Sequence, residues 1–409
     1  MTRGQTVQQA LRCTACGKEY PHERLSARCP DCDEPLEYDD VREGTIRSGS
    51  LATQGIFERY ADFLPLANPP STVLGEGFTP LLSAPALAER LGVARIHLKM
   101  ESQNPTWSFK DRGTAASLLH ALECGYTRIG TASSGNMGAS VAAYGARAGL
   151  ETFVVVNDIP EEKLGPIAIY GPHVIRVKAE WGVLTALTRE VGDRHHIYFS
   201  NADVPMRVEG YKTIGYEICE QLNFDAPDVV VVPTSAGGNI RGIAKGFREF
   251  FKLGLIARMP RFVAAQPEAC CPIHDAWTAG RVAYEQVLNP GKTFAGAIFN
   301  TAPSSGNQVL RMLRECRGAT AAASDAEMLI AQRILAEEGV FAQPDSASAY
   351  AALQHLVEQG EVDASSRIVL LVTAGGLKVP SALAMQSLGA SDADLETLDA
   401  CIDGILNRR

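Results

Sequence analysis

Residues 104–113 read NPTWSFKDRG. They set one lysine, Lys110, between the aromatics Trp107 and Phe109 and the charged pair Asp111 and Arg112. Upstream, residues 95–100 alternate and are rich in β-formers; downstream, residues 111–122 are rich in Ala and Leu, the composition of a helix. Lys110 is therefore expected at or just before a helix N-terminus. There the positive end of the helix dipole disfavours an ammonium, and Trp107 and Phe109 can strip water from it, so both effects push the amine towards its neutral, nucleophilic form. Such a lysine can form a Schiff base. A Phe-Lys-Asp-Arg segment by itself more often describes a solvated lysine in a charged turn. Two further loops shift the balance.

After a strand-like stretch at 127–132 comes SSGNMGAS, residues 133–140, which opens a helix at 141–148 and leads to an apolar strand at 152–156. Residues 228–232 form another apolar strand, PTSAGGNIRG (233–242) opens a helix at 243–250, and 261–265 reads as the next strand. Backbone amides at a helix N-terminus bind a phosphate dianion readily, and glycines let the chain approach it closely. One such loop is often only a tight turn. Two of them with a lysine of this type form a pattern that chance rarely produces.

NPTWSFKDRG, SSGNMGAS, TSAGGN and the late TAGGLK resemble the threonine synthase family, within the fold type II pyridoxal-phosphate enzymes of the tryptophan synthase β type. The resemblance runs over residues 75–383. It implies that Lys110 carries pyridoxal 5′-phosphate as a Schiff base beside Phe109, and that Asn136 lies against the cofactor's 3′-oxygen. Ser235, Ala236, Gly237, Gly238 and Asn239 would cradle the phosphate, and Thr373 would meet the pyridine nitrogen. Many pyridoxal enzymes place a carboxylate at that nitrogen; a hydroxyl leaves the ring unprotonated and a milder electron sink, which suits chemistry at Cβ and Cγ. Ser133 and Ser134 become candidate substrate contacts. The implied reaction converts O-phosphohomoserine and water to threonine and phosphate, in a homodimer of chains with two doubly wound α/β domains.

The family's substrate-binding signatures are only partly kept. Lys163 and Arg207 are candidate anion binders, but Ala202 and Val204 replace a serine and an asparagine of the family pattern. Gln343-Pro344 stands where Glu-Pro is common, and Gly375 and Val379 replace a histidine and an aspartate around Gly-Leu-Lys. Two other reactions on the same scaffold therefore stay open: β-replacement on O-phosphoserine, as in cysteate synthesis, and ammonia loss from threonine or serine. A reading from another class is a catalytically silent relative whose N-terminal segment binds a partner protein.

Ten cysteines include Cys13, Cys16, Cys29 and Cys32, two CxxC pairs with twelve residues between. Each pair can sit on a knuckle turn and offer two thiolates, together filling a tetrahedral zinc site with no open position, hence a structural one. His22 is an alternative ligand, and a ribbon that has lost its metal is the other reading. The ribbon is expected outside the catalytic body. Cys124, Cys219, Cys270, Cys271, Cys316 and Cys401 lack ligand spacing and read as buried small hydrophobes.

The chain of 409 residues, 46% hydrophobic and 21% charged, has the composition of a folded globular protein of two or three domains. A net charge of −9 gives no reason to expect nucleic acid or an anionic membrane as partner, while leaving room for a small anionic substrate in a basic pocket. No segment approaches the roughly 18 apolar residues of a membrane span, and the N-terminus has no signal-peptide core, so the cytoplasm is expected. The expected organisation is a zinc-ribbon-like segment (1–42), a linker or docking arm (43–74), a larger cofactor-binding domain (75–127 and 217–385), a smaller domain (128–216) and a C-terminal helical tail (386–409).

Overall fold

A computed structural model describes residues 10–21, 27–41, 43–49, 54–67, 73–157, 164–179, 181–379, 391, 393, 395 and 397–406. Three short antiparallel strands open the described chain: β1 (Leu11–Cys13), β2 (Glu19–Tyr20) and β3 (Leu36–Tyr38), in the order β2-β1-β3. Helix α1 (Ile56–Arg59) follows, then β4 (Leu81–Ser83), α2 (Pro85–Leu91), β5 (Arg95–Lys99) and α3 (Lys110–Glu123). Next come β6 (Arg128–Ala132), α4 (Asn136–Ala148), β7 (Glu151–Val156), α5 (Gly165–Ala168), β8 (His173–Arg176), α6 (Trp181–His195) and β9 (Tyr198–Phe199). The chain continues through α7 (Pro205–Gln221), β10 (Val229–Pro233), α8 (Gly238–Lys252), β11 (Arg261–Pro267), α9 (Pro272–Thr278) and α10 (Gly306–Glu315). It then runs through β12 (Ala319–Ala323), α11 (Asp325–Glu337), α12 (Pro344–Glu358) and β13 (Arg367–Leu371). The described residues up to Lys378 form one unit; in the second, from Val379, the helix is α13 (Leu398–Leu406).

Two parallel sheets carry the architecture. One has the order β12-β11-β10-β13-β5-β4, parallel except for the edge strand β4; the other is β8-β7-β6-β9, parallel throughout. Strand β10 reads VVVVP and is buried along its whole length, as a central strand covered on both faces must be. The chain thus adopts the α/β fold with two wound sheets and a small N-terminal cysteine-bearing unit.

Helices α3, α7 and α8 stack closely because glycines sit where they touch. A Cβ on Gly113 would come within 2.6 Å of the Tyr211 ring, and one on Gly210 within 2.3 Å of the Arg112 carbonyl oxygen. No side chain fits at either position.

Buried charges bind these helices further. Arg112, fully buried, donates to Glu101 and Glu217 at 2.7–2.8 Å, and Lys99 adds a 2.5 Å pair to Glu217. Burial alone would raise Glu217, but Arg112 and Lys99 hold its carboxyl down at about 2.

Two expectations change here. The N-terminal unit does not stand apart from the body: Glu37 and Asp40 pair with Arg241, Lys245, Arg248 and Lys252 along α8. Of the six remaining cysteines, Cys219, Cys270 and Cys271 are buried, whereas Cys124, Cys316 and Cys401 are half-exposed. Cys124 and Cys316 cap the C-termini of α3 and α10, where a helix end emerges towards solvent. The aromatic arm folds onto its own chain, with Tyr60 and Phe63 packed at a tilt against Tyr216 and Arg59 paired with Glu220.

Candidate active site

Lys110 is the first residue of α3, and its amine lies 4.3 Å from the centre of the Phe109 ring. Its charged neighbours are committed elsewhere. Asp111 accepts from the Thr106 amide, the Thr106 hydroxyl and Ser140 at 2.6 Å each, and Arg112 is held by the two glutamates. The Lys110 amine itself has no hydrogen bond or ion pair among the described residues. Burial, with the Arg207 guanidinium nearby, lowers its pKa to about 7. Burial of Asp111 conversely raises its carboxyl to about 6. The charged-turn alternative for Lys-Asp-Arg fails because Asp111 and Arg112 are both fully buried.

Trp107 does not take part in drying the lysine. It is 60% exposed, and its backbone adopts a left-handed φ of 60°, which turns the ring outward. Of the two aromatics, Phe109 is the one that lies against the amine.

The other sequence-predicted residues converge on this point. The Phe109 amide donates to the Thr373 carbonyl at 3.0 Å. The Thr373 hydroxyl is 2.8 Å from Ser346 Oγ, which also accepts from the Ala374 amide. Asn136, the first residue of α4, donates its amide to Gln343 Oε1 at 3.0 Å, and the Gln343 backbone amide donates to Ala374. Ser133 is buried and accepts from the Gly135 amide at 3.3 Å; Ser134 beside it is half-buried.

The glycine loop after β10 lies across Tyr211 from the lysine. The Tyr211 ring packs tilted against Phe109, 5.1 Å between centres, and a Cβ on Gly238 would stand 3.9 Å from it. Gly237 has φ 95° and no room for a side chain, with Val309 at 2.7 Å from a built Cβ. Ser235 and Ala236 are half-buried, while both amide atoms of buried Asn239 lack a hydrogen-bond partner among the described residues.

Arg207 is fully buried on α7. Its guanidinium donates to the hydroxyls of Thr114, Ser200 and Tyr211 at 2.7–3.2 Å and to the Lys110 carbonyl at 3.4 Å, and no carboxylate pairs with it among the described residues. Arginine stays protonated, so this is a buried positive charge with neutral partners only. Val204 is buried nearby in sequence and brings no polar group. Lys163 and His22 lie outside the described residues.

Sequence reasoning did not single out Tyr211, Ser346, Ser305 or Arg241. Arg241 stands within the quoted stretch 233–242, but nothing local distinguishes it from any other basic side chain on a helix.

In the N-terminal segment, the Sγ atoms of Cys13, Cys16, Cys29 and Cys32 lie within 4.8 Å of one another. Cys13–Cys32 and Cys16–Cys29 are 3.4 and 3.7 Å apart. The sulfur–sulfur edge of a zinc tetrahedron with bonds of about 2.3 Å is ~3.8 Å. The two knuckles match: the Gly17 amide returns to the Cys13 carbonyl and the Asp33 amide to that of Cys29, both residues having positive φ.

Residues 72–374 match the family model described as pyridoxal-phosphate dependent enzyme. A threonine synthase of Methanosarcina acetivorans is 35% identical over 404 residues, 96% of this chain and 98% of the relative. The chain belongs to the threonine synthase family of pyridoxal-phosphate dependent enzymes. A second relative named threonine synthase, from Methanocaldococcus jannaschii, is 37% identical over 91% of this chain and 93% of its own. Among solved structures, a diaminopropionate ammonia lyase from Escherichia coli matches with TM-score 0.64 at 18% identity, over 76% of this chain and 87% of that one. A fungal L-serine ammonia-lyase from Rhizomucor miehei matches with TM-score 0.61 at 24% identity, over 80% and 97%. At such identities these neighbours speak for the fold alone. No described helix is long and apolar enough to cross a membrane.

Proposed function

We propose that this chain is a threonine synthase, converting O-phosphohomoserine and water to threonine and phosphate. The observation that carries the substrate is Arg207, a buried guanidinium that adjoins Lys110 and has no carboxylate partner among the described residues. A buried cation of that kind is compensated by an anion, and the substrate's phosphate supplies one. The extent of the match to relatives named threonine synthase supports the reaction.

The residues present fit pyridoxal phosphate. Asn239, with two unpartnered buried amide atoms, and the amides of Ser235, Ala236, Gly237 and Gly238 at the start of α8 suit its phosphate. The amine of Lys110, unpaired and with its pKa near 7, suits its aldehyde. Thr373 offers the pyridine nitrogen an uncharged hydroxyl held by Ser346, and Asn136, oriented by Gln343, offers an amide to the 3′-oxygen. When bound, the cofactor supplies an electron sink for carbanions adjacent to the amino group.

The chain's own contribution is positioning and proton movement. Lys110 takes the Cα proton and serves as acid and base at Cβ and Cγ, a role its lowered pKa permits near neutrality. Arg207 holds the phosphate as it leaves Cγ, and Phe109 keeps water from the amine. Ser133, Ser134 and Lys163 complete the substrate contacts. We assign residues 75–127 and 217–385 to the larger domain and 128–216 to the smaller, a structural zinc to the four cysteines, and a cytoplasmic homodimer to the assembly.

The test is incubation with O-phosphohomoserine, O-phosphoserine with and without sulfite, threonine and serine, following phosphate, keto acid and amino-acid products. Threonine with stoichiometric phosphate is expected from the first. Arg207→Gln should raise KM for it by about 10–100-fold, from a lost charged hydrogen bond of about 1.5–3 kcal/mol. Keto acid from threonine or serine at a higher rate would replace this reading with an ammonia-lyase; cysteate from O-phosphoserine and sulfite would replace it with a β-replacement enzyme.

A further inference from the structure

The N-terminal cysteine unit grips the two segments that hold the glycine loop after β10. From β3, Glu37 accepts from Arg241 Nη2 at 2.9 Å, and the other end of that guanidinium, Nη1, donates to Ser305 Oγ at 2.7 Å. Ser305 in turn donates its backbone amide to the Ala236 carbonyl at 2.9 Å, and its Cβ lies 3.1 Å from where a Cβ on Gly237 would stand. Arg241 and Ser305 are both buried, at 2% and 1% exposure. The contact is therefore a continuous dry path from the cysteine unit to the glycine loop.

Other bonds run parallel to it. Arg28, next to Cys29, donates to the Ser304 carbonyl at 2.8 Å. Glu34, two residues beyond Cys32, accepts from Asn307 at 2.7 Å and Arg311 at 2.8 Å. Gln308 donates to Glu37 at 2.8 Å, and Lys245 to the Tyr38 carbonyl at 2.6 Å. Residues 304–311 and α8 are thus fastened to one small unit whose two knuckles are closed around four sulfurs. Such a unit has little apolar core of its own, and a four-thiolate centre supplies the folding energy in units of this size.

We propose that the cysteine unit is a clamp on the phosphate-binding loop, with Arg241 as the positioning residue that transmits its state. The proposal rests on the reading of residues 235–239 as the cradle of the cofactor's phosphate. Closed around its metal, the unit holds Glu37 against Arg241, Arg241 against Ser305 and Ser305 against Ala236, so the amides of the loop stay aimed at one point. Without the metal the first contact is lost and the cradle relaxes. Cofactor retention is consequently linked to the state of four thiols remote in sequence from Lys110.

Pyridoxal phosphate and pyridoxal, which differ only in the phosphate, separate a positioning role from general loosening. Purified enzyme freed of cofactor is titrated with each, following visible absorbance. In Glu37→Gln the dissociation constant for pyridoxal phosphate should rise about tenfold or more, with that for pyridoxal within twofold of the unaltered protein and zinc content unchanged. Chelation of zinc from the unaltered protein should produce the same selective loss. An unchanged pyridoxal phosphate affinity in both arms, or equal weakening of both aldehydes, would overturn the clamp. Should Glu37→Gln not fold, Arg28→Gln takes the same measurement. Ser235→Asp, which places a carboxylate in the cradle with the clamp intact, tells the two readings apart. If it abolishes the preference for pyridoxal phosphate while Glu37→Gln does not, the clamp alone is wrong; if it leaves that preference intact, the cradle assignment fails and the clamp with it.

Discussion

Lys110 owes its character to what its neighbours do. Asp111 turns back to Thr106 and Ser140, Arg112 is saturated by Glu101 and Glu217, and burial disfavours the charged form of the lysine, with repulsion from Arg207 added to it. Because the folded value lies below the ordinary lysine range, the amine is protonated below about pH 7 and neutral above it. Attachment of pyridoxal phosphate to cofactor-free enzyme should accordingly accelerate as pH rises through about 7 and level off above it, measured by stopped-flow absorbance. Lys110→Ala should give no borohydride-fixed adduct by mass spectrometry; an adduct at a different lysine would remove the assignment. A midpoint near 10 would mean that the amine is solvated.

At the scale of the element, α3, α7 and α8 are long helices whose contacts combine glycines and paired charges with aromatic side chains, Gly113 lying against Tyr211 and Tyr216 stacking on Phe250. In an exposed helix, Gly→Ala gains about 1 kcal/mol from backbone propensity. At Gly210 the added methyl would stand 2.3 Å from the Arg112 carbonyl oxygen, a backbone atom that cannot rotate away. Overpacking of that kind costs about 1–3 kcal/mol. Gly210→Ala should therefore lower stability by up to about 2 kcal/mol net in urea unfolding, and the displaced α3 should carry Lys110 with it, reducing kcat. A stabilised variant would show that the helices part without cost. The spacing of glycines in VEGYKTIGYE and GGNIRGIAKG is visible in the sequence, but which helix each faces is not, since the pairing α7 with both α3 and α8 is set by the winding of the chain.

Up to Lys378, the cysteine unit, the six-stranded sheet and α8 form a single unit, so the four cysteines and the glycine loop belong to one folded body. Metal analysis should find about one zinc per chain, and Cys29→Ser should lower both zinc content and the calorimetric melting temperature, by about 2–5 °C for a loss of 1–2 kcal/mol. A metal-free protein of full stability would reduce the four cysteines to a relic. The sequence by itself determined the strand-loop-helix-strand order around the two glycine loops, the lysine at the start of α3 and the four-cysteine spacing, although α4 and α8 begin at Asn136 and Gly238, inside the loops, ahead of the expected 141 and 243. All of these are local: period, turn residues and ligand interval act within a few residues of one another. Only the tertiary structure decided that Trp107 faces solvent, that Gln343 orients Asn136, that Arg207 is buried among hydroxyls, and that the cysteine unit is fastened to the glycine loop. Arg112 meets Glu217 across 105 residues, and Arg241 meets Glu37 across 204. Whether a charge is paired depends on such distant partners, and the free energy of a buried charge turns on that pairing rather than on its neighbours in the chain.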